Sequence, residues 1–236
     1  MKWLTIIAAI IGVVFVGYGA AYPSLTVRYR LTLEAEVDGQ PKRGASVIEV
    51  TYAKQLNIRS ELSIGYRGEA VVLDLGPRGT LFALLKEGSD TRSIPQTIIF
   101  RAFNFDGGIW PSGSVEHLQG QLRKLSGTRE LALTSLPLLV RFRDLNDPTT
   151  VEAVDPLNIS EKFGPGTRLN RATLEMVPVG IWPLNLIGVT GTSITNSIKA
   201  RLPWLAGLKS NLDGTDFTSS RRLSNELHVG NFRTWY

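Results

Sequence analysis

Residues 26–37 read TVRYRLTLEAEV, and this stretch decides the fold class. Val27, Tyr29, Leu31, Leu33, Ala35 and Val37 alternate with Arg28, Arg30, Thr32, Glu34 and Glu36. Successive side chains of a strand point to opposite faces, so a period of two marks a strand with one apolar face and one solvated face. Asp38-Gly39 opens a loop that runs to Gly44. Beyond it Ile48, Val50 and Tyr52 alternate with Val47, Glu49 and Thr51. The two runs predict an antiparallel hairpin. Across its wet face Arg28, Arg30, Glu34, Glu36 and Glu49 can pair, at about 0.2–1 kcal/mol for each contact. A solvated strand face accounts for these charges, and a catalytic pair of carboxylates is the competing reading.

Downstream, residues 69–75 and 80–85 are nearly continuous apolar runs on either side of Gly76-Pro77-Arg78-Gly79. They predict a second hairpin, a central strand pair buried on both faces. Pro77 presets its own φ for a turn, and GPRG lacks the Lys-Ser/Thr ending of a phosphate-binding loop. Residues 97–105, 138–143 and 167–177 read as further strands. Residues 114–125 read as a helix, with Val115, Leu118, Leu122 and Leu125 on one stripe and Ser114 as N-cap. The Gly- and Pro-rich stretches 104–113 and 163–166 are loops. No charge run or low-complexity linker divides the chain. Residues 23–236 are therefore expected to form one mainly β domain, β-sandwich-like, built of antiparallel hairpins with one or two short helices.

Upstream, residues 3–22 read WLTIIAAIIGVVFVGYGAAY, 20 residues without a charge. As a helix they span about 30 Å, the thickness of a bilayer core. Trp3 and Tyr22 stand at the two ends, where amphipathic rings favour the interface. Two readings stay open. Residues 1–22 form an uncleaved transmembrane helix, or they form a signal peptide cut after Ala21. The expectation is a single-pass anchor in the inner (cytoplasmic) membrane, with the lipid bilayer as partner of residues 3–22. The main domain then lies outside the cytoplasm, facing the periplasm or the cell exterior.

Composition narrows the chemistry. The chain has 236 residues, a net charge of +5, 43% hydrophobic residues, no Cys and two His. That hydrophobic share supports a packed core and argues against disorder. Absence of Cys excludes disulfides, iron–sulfur clusters, thiol catalysis and Cys-ligated zinc, and two histidines cannot make a three-His site. No G-x-S-x-G or S-x-x-K motif places a nucleophilic serine beside His117 or His228. No cofactor is implied. The cations are scattered among acids, without the stripe that nucleic-acid binding wants, so no nucleic acid is expected as partner.

Three further features are candidates for a site. Asp144 and Asn146, with Glu152 and Asp155 beyond them, place oxygens in a pattern similar to a calcium loop. The turn glycine is absent and Pro148 takes the place of a third ligand, so Asx turns explain the segment more simply. Calcium ligation by Asp144, Asn146 and Asp155 stays as the alternative. The tetrapeptide GIWP occurs at 108–111 and 180–183 in unlike contexts, which argues against a duplicated module. Trp110, Trp182 and Trp204 each adjoin a proline, a combination suited to a binding surface and to core packing alike. Residues 176–198 are a second uncharged stretch, broken by Pro178, Pro183, Gly188 and Gly191, and they read as a loop or hairpin. Ile181, Trp182, Leu184 and Leu186 lie close together in it, and Lys199 and Arg201 follow where lipid headgroups would want them. The partner- or membrane-facing set is thus Trp110, Ile181, Trp182, Leu184, Leu186 and Trp204.

At FRDLNDPTTVEAVDP (142–156), FGPGTRLNRATLE (163–175) and RLPWL (201–205) the chain resembles a family of uncharacterised bacterial proteins with an N-terminal apolar segment. The likeness extends to YRLTLEAEVDG and GEAVVLDLG, and residues 177–189 depart from it as a longer, more apolar excursion. The resemblance implies no reaction, ligand or site residue. The functional expectation is a membrane-anchored envelope protein with a binding or structural domain and a possible envelope protein as partner. The alternative is a carboxylate-dependent envelope hydrolase, which needs two acids converging in a cleft.

Overall fold

Strand β1 (Ser24–Val37) forms where the alternation predicts it and lies inside the larger of two sheets. The computed structural model describes residue 3 and residues 21–56, 60–88, 94–105, 113–181, 183–185, 188–215 and 222–234. The strands that follow are β2 (Gln40–Lys54), β3 (Leu62–Glu69), β4 (Val71–Asp74) and β5 (Thr80–Ala83). After them come β6 (Thr128–Leu131), β7 (Leu139–Phe142), β8 (Val151–Ala153), β9 (Thr167–Val177) and β10 (Arg233–Thr234). One sheet has the order β10-β3-β2-β1-β9-β6, the other β4-β5-β7-β8, and every pairing is antiparallel. The helices are short: α1 (Ile98–Ala102), α2 (Val115–Leu122), α3 (Ser160–Phe163), α4 (Ile198–Arg201) and α5 (Leu223–Glu226). The architecture is mainly antiparallel β and is consistent with a sandwich-like packing of the two sheets.

The apolar face of β1 packs as its sequence requires. Val27, Tyr29, Leu31, Leu33, Ala35 and Val37 join Ile48, Val50 and Tyr52 of β2 and Leu73, Leu81 and Ala83 of the second sheet in the main core. The β1–β2 turn is tighter than expected. Asp38 and Gly39 alone make it, at φ of 50° and 80°, with Val37 opposite Gln40. A two-residue turn with both φ positive matches the twist of the flanking strands. Residues 41–44 therefore belong to β2 and not to a loop. Pro41 is tolerated there because β3 pairs only with Glu49–Lys54, leaving that flank of β2 without a ladder.

The second hairpin forms between β4 and β5, and its burial has a different cause from the one expected. β4 is an edge strand and not a central one. It is covered because it crosses β2 at Gly44, where an added Cβ would overlap the Val72 carbonyl. β5 is buried along its whole length. On its far side Phe82 and Leu84 meet Val140, Phe142 and a C-terminal layer of Ile198, Leu202, Leu205, Leu212, Leu227 and Phe232. The second sheet thus has apolar packing on both faces, which is why its strands read as continuous runs.

Residues 97–105 are not a strand. Ile98, Ile99 and Phe100 are consecutive and all fully buried, and a strand would have turned one of them away. One helical turn spreads all three into the main core, and it is held there by Tyr29 Oη donating to Pro95 O (3.0 Å) and Tyr52 Oη donating to Gln96 O (2.7 Å). The predicted helix over 114–125 is found as α2, with Ser114 Oγ accepting from His117 N at 3.2 Å as the N-cap. Most of the apolar segment 3–22, namely residues 4–20, lies outside the described residues. Among the described residues no helix is long and apolar enough to cross a membrane.

Candidate functional site

The outer face of the six-stranded sheet carries a row of charges. Arg28 of β1, Glu49 of β2 and Arg67 of β3 are paired positions, side by side across three strands. Glu49 Oε2 accepts from Arg28 Nε at 2.7 Å, and Glu49 Oε1 accepts from Arg67 Nε at 2.9 Å and from Arg67 Nη2. The alternation of β1 predicts that this face lies in water. The structure corrects that at its centre, where Arg28 and Glu49 are 2% and 3% exposed. Arg67 keeps about one-third of its side chain exposed. Further along the face, Glu34, Glu36 and Arg30 remain partly exposed and pair with Arg43, Arg168 and Glu175, as a solvated strand face should.

The cover comes from the described residues of the segment 178–197, a strap running from the end of β9 to the start of α4. Its base is a narrow neck, because Gly180 (φ 84°) and Gly191 (φ 76°) lie back to back. A Cβ on Gly180 would overlap the Thr190 carbonyl, and one on Gly191 would overlap Val179. Thr192 N donates to Pro178 O at 2.8 Å and closes the neck. The strap then crosses the sheet. Arg28 Nη1 donates to Thr192 O at 2.6 Å. Val47 N donates to Thr195 Oγ1 (2.8 Å), and Thr195 N donates to Val47 O (3.2 Å), on the flank of β2 that β3 leaves vacant. Glu69 anchors the far end, its Oε2 accepting from Ser197 N and Ile198 N at 2.5 and 2.9 Å.

Two concavities meet at Arg67. One, of about 230 Å³, lies beneath the strap and is lined by Arg28, Arg67, Asn185, Ser193 and Asn196. The other, of about 470 Å³, runs over Thr26, Thr51, Ala53, Ser63 and Gly65 toward the start of β1. The neck exposes large apolar side chains on its loop: Ile181 at 69%, Leu184 at 43% and Val189 at 65%. The residues Ile181 and Leu184 are thus solvent-facing, whereas Trp182, Leu186 and Trp110 lie outside the described residues. Trp204 is not on this surface. Its Nε1 donates to Leu145 O at 2.8 Å, and its ring packs edge-on against Phe142 and Phe232 in the smaller core. Arg201 is taken as well, by Asp74 at 2.5 Å.

The calcium alternative meets carboxylates engaged in their own turns. Asp144 Oδ1 accepts from Asn146 N and Asp155 Oδ1 from Leu157 N, both at 2.8 Å, and Glu152 is held by Arg141. Among the described residues no three acids or histidines gather as metal ligands. Among the described residues the carboxylates whose pKa departs from the ordinary range all move down. Arg168 does this to Glu36, the Gly76 N–H and then Arg201 to Asp74, Lys54 to Glu116, and Thr149 and Thr215 to Asp147 and Asp213. A general acid needs the opposite shift. His117 bonds Gln121 on the exposed side of α2, and His228 Nδ1 accepts from Gly230 N at 3.1 Å as a cap.

Sequence reasoning missed the buried Arg28–Glu49 pair and the Glu69 anchor. The only signal was the polar run TGTSITNS at 190–197, whose hydroxyls and amides tie the strap down. Compared with protein-family models, curated proteins and solved structures, the chain matches none.

Proposed function

We propose that the chain is a membrane-anchored bacterial envelope protein, held by residues 3–22 as a single transmembrane helix, with a β-sandwich-like domain outside the cytoplasm that binds a ligand or partner. One observation carries this reading: the chain leaves the apolar segment at the same end of the sheet from which the apolar loop springs. Ser24, the first residue of β1, pairs with Ala53, and Pro23 O accepts from Lys54 N at 2.9 Å. Val177, the last residue of β9, pairs with Arg28, four positions along β1. Leu56, 89% exposed in the β2–β3 connection, belongs to that end too. Exposed apolar side chains that converge on the end facing a bilayer lose less by being there than in water.

Membrane fractionation with a carbonate wash, followed by N-terminal sequencing, tests the reading. The expected result is an intact N-terminus in the washed membrane pellet. Release into the supernatant with Tyr22 as the first residue would replace the anchor with a cleaved signal peptide. A cytoplasm-only reporter fused to the C-terminus should be silent, and its activity would reverse the orientation.

A further inference from the structure

We propose that the cavity between Arg28, Arg67 and the strap binds a phosphate group, carried by an anionic lipid headgroup or free in solution. The donors that line it outnumber the acceptors they already serve. Arg28 uses Nε on Glu49 and Nη1 on Thr192 O, and Arg67 uses Nε and Nη2 on Glu49. Arg28 Nη2 and Arg67 Nη1 have no protein acceptor among the described residues. Two guanidinium groups therefore share one carboxylate, and the cluster carries one surplus positive charge. The nearby Glu69 carboxylate is engaged through Oε2 by the Ser197 and Ile198 N–H groups, and its Oε1 is buried without a partner.

The geometry favours phosphate over a simple carboxylate. Arg28 and Arg67 stand on either side of β2, about 10 Å apart at the backbone, and reach the cavity from two directions. Ser193 and Asn196 add a hydroxyl and an amide from the strap above. A group with three or four acceptor oxygens can meet such spread donors, whereas a planar carboxylate is matched by a single arginine fork. Each bond formed would be charge-assisted and shielded by the strap. The adjoining groove runs over Thr26, Thr51, Ala53, Ser63 and Gly65, is charged only where Glu49 and Arg67 pair at its edge, and opens toward the start of β1. It leaves room for the organic part of a phosphodiester. The lipid version rests on the membrane reading above, and the free-phosphate version does not.

The test uses the full chain in neutral alkyl-glycoside micelles at fixed ionic strength. One arm titrates inorganic phosphate by calorimetry, with chloride as control. The other dopes the micelles with phosphatidylglycerol or with a phosphate-free glycolipid. Saturable binding is expected in at least one arm, and the arm that saturates names the source. Arg67→Gln is expected to weaken it about tenfold or more, as loss of a charge-assisted contact requires. Ser193→Asp, at an exposed position, should do the same by placing a like charge at the cavity without touching the Arg–Glu bonds. Arg43→Gln, on the same face of the sheet, should leave binding unchanged. Absence of saturation in both arms, or equal affinity in all three variants, overturns the site. A chain that washes off membranes yet binds inorganic phosphate refutes the anchor alone, and an anchored chain that binds neither probe refutes the site alone.

Discussion

A single carboxylate, Glu49, holds two arginines, and the burial of Arg28 makes that arrangement costly to break. Removing one partner of a buried ion pair leaves the other charged and desolvated, at about 3–5 kcal/mol. Glu49→Gln should therefore lower the unfolding free energy by roughly that amount. The paired replacement Arg28→Met with Glu49→Leu should cost much less, because it removes the charge together with its desolvation penalty, while Arg67 turns its exposed third to solvent. Denaturant unfolding of the three proteins checks this; a single variant as stable as the parent would mean that water already reaches Arg28. His228 gives the pH dependence. Burial, and after it Lys86, holds its imidazole below the ordinary 6.5. The folded state thus prefers the neutral ring, whose Nδ1 accepts from Gly230 N. That contribution is present above pH 6.5 and is lost as pH falls from there through the lower folded value. The melting temperature should drop between pH 7 and pH 5, and drop less in His228→Asn, which keeps a capping acceptor. An identical drop in both proteins would assign the effect elsewhere.

The strap is the element on which the candidate site depends, and its neck is its weakest point. Gly180→Ala and Gly191→Ala each combine a positive φ with a Cβ that overlaps the opposite backbone, so each should open the neck. Amide exchange should then speed up at Val47 and Thr195, which bond each other, and not at Leu31 in the middle of β1. Gly214→Ala, also at positive φ but with nothing within 4 Å of the new carbon, is the control for strain alone. The sequence disclosed β1, β2 and β9 because each has one apolar face, and period two reports that face directly. It disclosed α2 through its stripe and the Ser114 cap. It misassigned α1 because Ile98, Ile99 and Phe100 favour strands by propensity, and only the surrounding core shows that all three must be buried. It missed the burial of Arg28 for a different reason. Alternation identifies which face a side chain takes, but not that Thr192, 164 positions away, will lie over it. Trp204 next to Pro203 is equally ambiguous in sequence, because its ring partners Phe142 and Phe232 are distant along the chain.

At the scale of the whole molecule the six-stranded sheet has two unlike ends. The Asp38-Gly39 turn marks one, bonded through Asp38 N to Gly166 O just beyond α3. Pro23, Leu56 and the end of β9 mark the other. If residues 3–22 cross a bilayer, the second end must face it, and Ile181 and Leu184 should sit at headgroup depth. The chain contains no cysteine, so single cysteines can report depth without background labelling. Ile181→Cys and Leu184→Cys, each carrying a polarity-sensitive fluorophore on the full chain in vesicles, should show blue-shifted emission that a lipid-borne quencher reduces. Leu157→Cys provides the internal comparison. Leu157 is also strongly exposed, at 67%, but it precedes α3 and so belongs with the turn-bearing end. Its label should emit as in water and resist the quencher. Equal quenching at Leu157 and Ile181 would refute the proposed orientation, since exposed apolar side chains would then meet lipid wherever they occur. Quenching confined to Ile181 and Leu184 would tie the apolar loop to the bilayer in which the N-terminal segment is proposed to sit.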